Sequence, residues 1–371
     1  VAFGGLVLLG VLWGVGARGG DLRVAIFELR PLLYLVAMFV LASNLLTRTV
    51  HYVRLAWVVV LAISIQNIFA IKFYWSLSAS TRGELEALTE HPTSVLYAWV
   101  FLLAFALCVL RGCSRWARFL LVLAAIPTAY VFVLSQRRGA FIALGVGFAV
   151  FAFVLFFRRR KAFIVLVPVV LLLTAGYSVA FWNATGGVAF GATAIKSVVS
   201  PGAVPAKDAS SDLYRRIENY DLVYTIRSAP VTGIGFGRPF YRPAPLPPIA
   251  FSAFNDYIPH NSILWIWLKV GYFGFLVLFF IIAATIRAGT RAAMRLPSGN
   301  ALAVTVAALA FVVMFPVFAS VDIAWDPKSC LFLAVCIATC TNVLRLAETS
   351  GETLDETDFE VFDEITRQSV P

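Results

Sequence analysis

The sequence predicts an all-α integral membrane protein with about ten transmembrane helices and one long polar loop, and three observations predict it. Hydrophobic residues make up 60% of the 371 residues, charged residues 13%, and the mean hydropathy is +0.86, far outside the range of soluble globular domains. Apolar runs recur along the chain near the roughly 20 residues that a helix needs to cross the hydrocarbon core. One long polar segment, about 183–258, separates the seventh run from the eighth.

Taken in order, the runs cover about 1–17, 31–47, 53–71, 94–110, 118–135, 139–157, 162–182, 261–284, 301–319 and 329–345. The chain opens at Val1, already in an apolar stretch with no Met and no charged n-region. The expectation is that upstream residues are missing and that the full protein carries twelve helices. Four regions follow: N-terminal transmembrane helices at 1–182, about seven; a loop domain at 183–260; C-terminal transmembrane helices at 261–345, about three; and an acidic tail at 346–371. The loop carries "SPGAVPAKDASSD" and "RPFYRPAPLPPIAF", whose prolines and glycines break long helices. Between them "DLYRRIENYDLVYTIRSAP" places Leu213, Ile217, Tyr220, Leu222, Val223 and Ile226 as one partly amphipathic helix. The tail "ETSGETLDETDFEVFDEI" has the composition of a solvated end.

The net charge of +10 raises nucleic acid as a partner, but the basic residues stand in short clusters between apolar runs and form no basic face interleaved with aromatics. Nucleic acid is therefore not expected. Cys108, Cys330, Cys336 and Cys340 lie in apolar runs and Cys113 in a short basic loop, which implies neither a disulfide framework nor a metal site. No period of 20–50 residues recurs, so the chain is no repeat array.

Orientation follows from lysine and arginine in the short loops. Twelve fall on one side: Arg48, Arg54, Arg111, Arg115, Arg118, Arg158, Arg159, Arg160, Lys161, Arg287, Arg291 and Arg295. Eight fall on the other: Arg18, Arg23, Arg30, Lys72, Arg82, Arg137, Arg138 and Lys328. The twelve are expected to face the cytoplasm. The long loop, "SQRRGA" and "PHNS" then share the outer face.

Arg137 and Arg138 break that charge rule in a turn of a few residues between two apolar runs. Charge at that depth is costly unless it snorkels to the headgroups or meets water, an acidic partner or an anionic ligand. Gly139 permits close approach by a neighbour or a ligand. Twin arginines at a helix start suit a diphosphate, because guanidinium forks pair with phosphate oxygens and the helix end adds its own positive potential. The loop adds Arg215, Arg216, Arg227 and Arg238, the last beside "GIGFG". That glycine cluster lacks the strand-to-helix context of a nucleotide-binding turn and reads more readily as a flexible turn. Arg215 and Arg216 have an alternative use as ion-pair partners of Asp212, Glu218 or Asp221. His260 stands just before a helix that Asn261 or Ser262 can cap, after Pro259. The positive helix end disfavours an imidazolium there, so His260 is a candidate proton acceptor beside an arginine-held anion. Asp322 and Asp326 are the only close carboxylate pair at an outer span end. With no third ligand nearby, no metal is expected.

The same residues carry a resemblance. "SQRRGAFIAL" is similar to the signature at the head of a mid-chain span in the O-antigen ligase and polymerase family of membrane glycosyltransferases. "RRIENYDLVYTIRSAPVTGIGFGRPF" resembles the periplasmic segment of that family, and "PHNSILWIWLKVGYFG" its His-Asn block with a later pair of glycines. The three blocks reach from Ser135 to Gly274 in the family's order. The glutamine and second arginine of "SQRRG" and the doubled arginine at 215 and 216 depart from the pattern and leave two registers open. Spacing favours Arg138 and Arg216.

The resemblance implies a GT-C-like enzyme in the bacterial inner membrane, multi-pass, with its active site facing the periplasm. It implies metal-independent, inverting transfer of a glycan from undecaprenyl pyrophosphate to an acceptor hydroxyl, with no cofactor. An O-antigen ligase with lipid A-core as acceptor is the first expectation, and a polymerase with a glycan acceptor and the same donor is the alternative. Arg138 and Arg216 would hold the diphosphate and His260 would act as base or orienting group. Arg137, Arg215, Arg238 and Asn261 complete the set as substrate-binding candidates. Two other classes fit less well. A transporter of lipid-linked sugars would show repeated halves or paired broken helices, and a scaffold has no use for charge at "SQRRG".

Overall fold

The computed structural model describes residues 2–78, 80–81, 88–110, 114–184, 189–200, 206–246 and 254–350. Arg82, Arg111, Cys113, most of "SPGAVPAKDASSD" before Ala206, "PPIAFSA" and the acidic tail beyond Ser350 lie outside the described residues. Within them every regular element is helical: α1 Ala2–Val11 with a π-helical continuation Leu12–Ala17, α2 Leu22–Leu45, α3 Thr49–Ser76, α4 Thr93–Val109, α5 Arg115–Leu134, α6 Arg138–Arg158, α7 Arg160–Ala180, α8 Phe190–Val199, α9 Ala206–Ser228, α10 Ser262–Arg295, α11 Asn300–Ala319 and α12 Pro327–Ser350.

Each of the ten expected spans coincides with a helix, but by length and composition eight can cross a membrane. The other two, α1 with its continuation and α4, are apolar and shorter. The second span starts at Leu22 rather than 31. Asp21 caps it, its carboxylate accepting from the Arg23 and Val24 amides at 2.7 and 3.0 Å, and Pro31 sits inside the helix. A proline and the charges of "FELR" read locally as an end to a membrane helix. The helix continues because Glu28 is buried against a partner on α10. The loop helix starts at Ala206, six residues before the predicted Asp212, and α8 adds a second loop helix that hydropathy did not single out.

Helix α11 occupies the centre. Apolar or small residues surround its whole circumference, and Leu302, Thr305, Leu309, Phe311, Phe315 and Phe318 are all buried, the pattern of a helix packed on every side. Helix α7 is peripheral: Leu171, Leu172 and Leu173 are exposed, as lipid-facing side chains are. At the end of the bundle away from the site, Arg158 donates to the carbonyls of Met294 and Leu296, and Arg159 to that of Val109. These cations satisfy helix C-terminal carbonyls that have no intrahelical donor.

Two glycines decide how the loop meets the bundle. The segment "GIGFG" packs against the first helix: Trp13 Nε1 donates to Gly233 O at 3.1 Å, and Phe236 N to Gly10 O at 3.2 Å. Gly235 has φ +83°, and a Cβ there would lie 2.3 Å from Gly14 Cα. The expected flexible turn is instead a buried docking point. Gly271 breaks α10 with φ +69°, and a Cβ on it would meet Val231 O at 2.1 Å. The turn after α9 enters this break, where Ile234 N donates to Leu268 O at 2.7 Å. Replacement of Gly235 by alanine combines left-handed backbone with a backbone clash. Gly235→Ala is expected to lower the thermal unfolding midpoint in detergent by several degrees, whereas alanine at Gly176, whose Cβ meets nothing within 4 Å, should leave it unchanged.

Candidate functional site

The starts of α6 and α10, the segment 88–92 before α4, the connection 320–326 between α11 and α12, and one face of α9 meet at one end of the bundle. A cavity of about 280 Å³ opens there, with Arg138, Arg215, Arg216, Glu218, His260 and Asn261 in its wall. Helical spacing explains the α9 contribution: Asp212, Arg215, Arg216 and Asn219 stand at i, i+3, i+4 and i+7 and share one face. All four line the cavity. A larger apolar cavity, about 460 Å³, lies between Phe101, Phe105, Leu144 and Phe148 on the flank of α4 and α6. Its lining has no charged group and no chemistry follows from it.

Arg138 is the first residue of α6. The turn before it is tight, with Gln136 at φ +52°, and Ser135 is tied by a 2.7 Å hydroxyl contact to Thr89. Gly139 brings this helix start against Val321, which a Cβ would meet at 3.0 Å; the close approach expected there is made by a neighbouring segment. The Arg138 fork pairs with both oxygens of Asp212, at 2.8 and 3.2 Å. Arg138 is 9% exposed and Asp212 35%, so the pair opens to the cavity on its acidic side.

Asp212, Glu218 and Asp221 therefore do not neutralise Arg215 and Arg216. Asp212 takes Arg138, Glu218 takes His260, and Asp221 accepts from the Ala244 amide at 3.0 Å. Arg216 is exposed to the cavity. Arg215 is half-buried and close enough to Asp322 to act on its charge.

His260 is held by Glu218, which is 2% exposed. Glu218 accepts from the His260 backbone N–H at 2.9 Å and contacts Nδ1 at 3.2 and 3.3 Å. An ionised carboxylate can only accept, so it faces a hydrogen on Nδ1; in the neutral imidazole of that tautomer the lone pair is on Nε2. The helix cap is as expected: Asn261 accepts from the Leu264 amide at 3.0 Å, while its own amide donates to Asn219. The ring of His260 lies edge to face with Tyr214 at 5.7 Å and with His91 at 6.0 Å. His91 Nδ1 contacts Asp322 Oδ1 at 2.5 Å. Burial of Asp322 would raise its pKa. The contact with His91, together with the charges of Arg215 and Arg137, outweighs this and holds the carboxyl well below the usual range.

Of the residues singled out from the sequence, Arg138, Arg215, Arg216, His260 and Asn261 come together at the cavity. Arg137 stands at the N-cap position of α6 without a side-chain cap bond; it is not in the cavity wall, and its charge acts on Asp322. Arg238 lies elsewhere and donates to the Arg18 carbonyl at 2.7 Å. In the sequence Glu218 stands out only as a neutralising charge, and His91 does not stand out at all. Asp322 stands out only as half of a carboxylate pair, but it pairs with His91. Among the described residues, no group of three or more His, Cys, Asp or Glu is arranged to hold a metal.

Residues 119–279 match the family described as O-antigen ligase. The match runs from within α5 to within α10 and contains Arg138, Arg215, Arg216, Glu218 and His260; His91 and Asp322 fall outside it. No curated protein and no solved structure matches the chain.

Proposed function

We propose that this multi-pass membrane protein, with its O-antigen ligase match over residues 119–279, moves a glycan from undecaprenyl pyrophosphate to an acceptor hydroxyl. The reading is of a GT-C-like, inverting, metal-independent transferase in the bacterial inner membrane, its site open to the periplasm at the 183–260 loop domain. One observation carries it: an imidazole oriented from Nδ1 by a buried carboxylate shares a cavity with three arginines.

In this scheme the acceptor hydroxyl gives its proton to Nε2 of His260, and its oxygen attacks the anomeric carbon from the face opposite the diphosphate. The bond from that carbon to the phosphate oxygen breaks with inversion. Undecaprenyl diphosphate leaves with the electron pair. Arg138, Arg215 and Arg216 meet the charge that develops on it, the kind of stabilisation that removal of one donor typically weakens by on the order of 10²–10³ in rate. Asp212 holds the Arg138 fork extended at the cavity wall. Arg216, which has no acidic partner among the described side chains of α9, is the first cation an incoming diphosphate meets. The acceptor is lipid A-core, as for a ligase.

The test is transfer by the purified protein in detergent, with an undecaprenyl-pyrophosphate-linked glycan and lipid A-core. Wild type should add glycan to the acceptor. Arg216→Ala should lose on the order of 10²–10³ in rate, and Arg216→Lys should recover little because an ammonium lacks the fork. Undiminished transfer by Arg216→Ala would remove the diphosphate role. Lengthening of the lipid-linked glycan, with nothing added to lipid A-core, would assign the polymerase reaction instead.

A further inference from the structure

We propose that His91 is a positioning residue of the transfer site, its ring anchored by Asp322 and packed on His260 so that the plane of the reacting imidazole is fixed. The inference rests on the reading that His260 receives the acceptor proton.

Glu218 alone does not hold that ring. Its carboxylate meets the His260 backbone N–H and Nδ1, which locates one edge of the imidazole but leaves it free to tilt about the Nδ1 contact. The remaining constraint comes from rings on its faces and edges. Tyr214 stands at 5.7 Å with an interplanar angle of 81°, and His91 at 6.0 Å with 63°. Both distances lie in the range where edge-to-face pairs attract. His91 is the better-anchored of these two neighbours, because Asp322 Oδ1 takes its Nδ1 at 2.5 Å. Asp322 is 2% exposed, and the same oxygen accepts from the Ile323 amide at 2.9 Å.

The anchor returns to the start of α10. Ser262 Oγ donates to the Asp322 carbonyl at 3.1 Å and accepts from the Ala324 amide at 2.9 Å, and Ser262 is two residues after His260. His260, Ser262, Asp322 and His91 thus form a closed circuit, with backbone on one side and the ring contact on the other. A closed circuit resists tilt where a single hydrogen bond does not. Displacement of a reacting group by about 1 Å can cost on the order of 10² in rate, so a residue that touches no substrate can still govern turnover.

The competing account is structural: His91 is present only to satisfy a buried carboxylate. His91→Asn and His91→Phe separate the two. Asparagine places an amide N–H where Nδ1 stood and keeps the bond to Asp322 but has no ring. Phenylalanine keeps the ring but leaves Asp322 without its partner. Both variants are measured as the full chain in detergent, by thermal unfolding and by steady-state transfer with an undecaprenyl-pyrophosphate-linked glycan.

If His91 positions His260, His91→Asn should melt within a few degrees of wild type and lose about tenfold or more in kcat, with donor KM within about twofold. His91→Phe should lose kcat as well. If it fails to fold, His91→Asn decides alone. Wild-type kcat in His91→Asn would overturn the inference, and so would a kcat loss matched by a rise in donor KM, which would make His91 a donor contact. Full transfer by His260→Ala would remove the reading on which the inference stands. An inactive His260→Ala beside a wild-type His91→Asn would overturn this inference and leave that reading intact.

Discussion

His260→Ala is expected to lose transfer by on the order of 10²–10⁴, the usual contribution of a positioned general base, with donor binding largely kept under the proposal that the arginines supply it. The support of that ring makes a second variant more telling. Glu218 uses its two oxygens on two donors of the same residue, the His260 amide at 2.9 Å and Nδ1 at 3.2 Å. Glu218→Gln substitutes an amide NH2 for one of those oxygens. Facing Nδ1, it turns the ring to the tautomer in which Nε2 carries the hydrogen and cannot accept another. Facing the backbone, it opposes donor with donor. Glu218→Gln should therefore lose on the order of 10² or more in kcat although its shape is almost unchanged. Rates near wild type for both His260→Ala and Glu218→Gln would leave arginine positioning as the whole catalytic device.

Lys269→Met is expected to produce the largest loss of stability in the chain. Lys269 and Glu28 are both fully buried, Nζ lying 2.7 Å from Oε1, and each has a second task. Nζ donates to the Arg238 carbonyl at 2.6 Å, and Glu28 Oε2 accepts from the Gly237 amide at 2.7 Å. One ion pair thus fastens α2, α10 and the glycine turn together. Removal of one partner of a buried pair typically costs about 3–5 kcal/mol, because the other charge stays buried without compensation. Lys269→Met should show it as a large drop in the unfolding midpoint in detergent. Glu28→Gln combined with Lys269→Met should recover part of the loss, since the glutamine carbonyl still accepts from Gly237 and no charge remains. A single variant that melts like wild type, or a double variant worse than the single, would show that the pair is not what holds these segments.

Ten apolar runs appear as ten helices because hydropathy is local and each run meets lipid or protein whatever its neighbours are. Their ends were less legible. The second run starts at 31 by hydropathy, whereas the helix starts at Leu22 and Glu28 within it faces Lys269. Arg138, Arg215, Arg216 and the histidine of "PHNS" were readable as neighbours, because the lysine and arginine count puts their segments on one side, and they share one cavity wall.

What the sequence by itself determined is the membrane class, the helix order and the clustering of cationic residues with one histidine. What only the tertiary structure decided is which charge answers which: Asp212 for Arg138, Glu218 for His260, Asp322 for His91 and Glu28 for Lys269. Each pair joins residues of different segments, from 42 to 241 positions apart by their numbers. An ion pair depends on a few ångströms of separation and on burial, and neither is a property of the local chain.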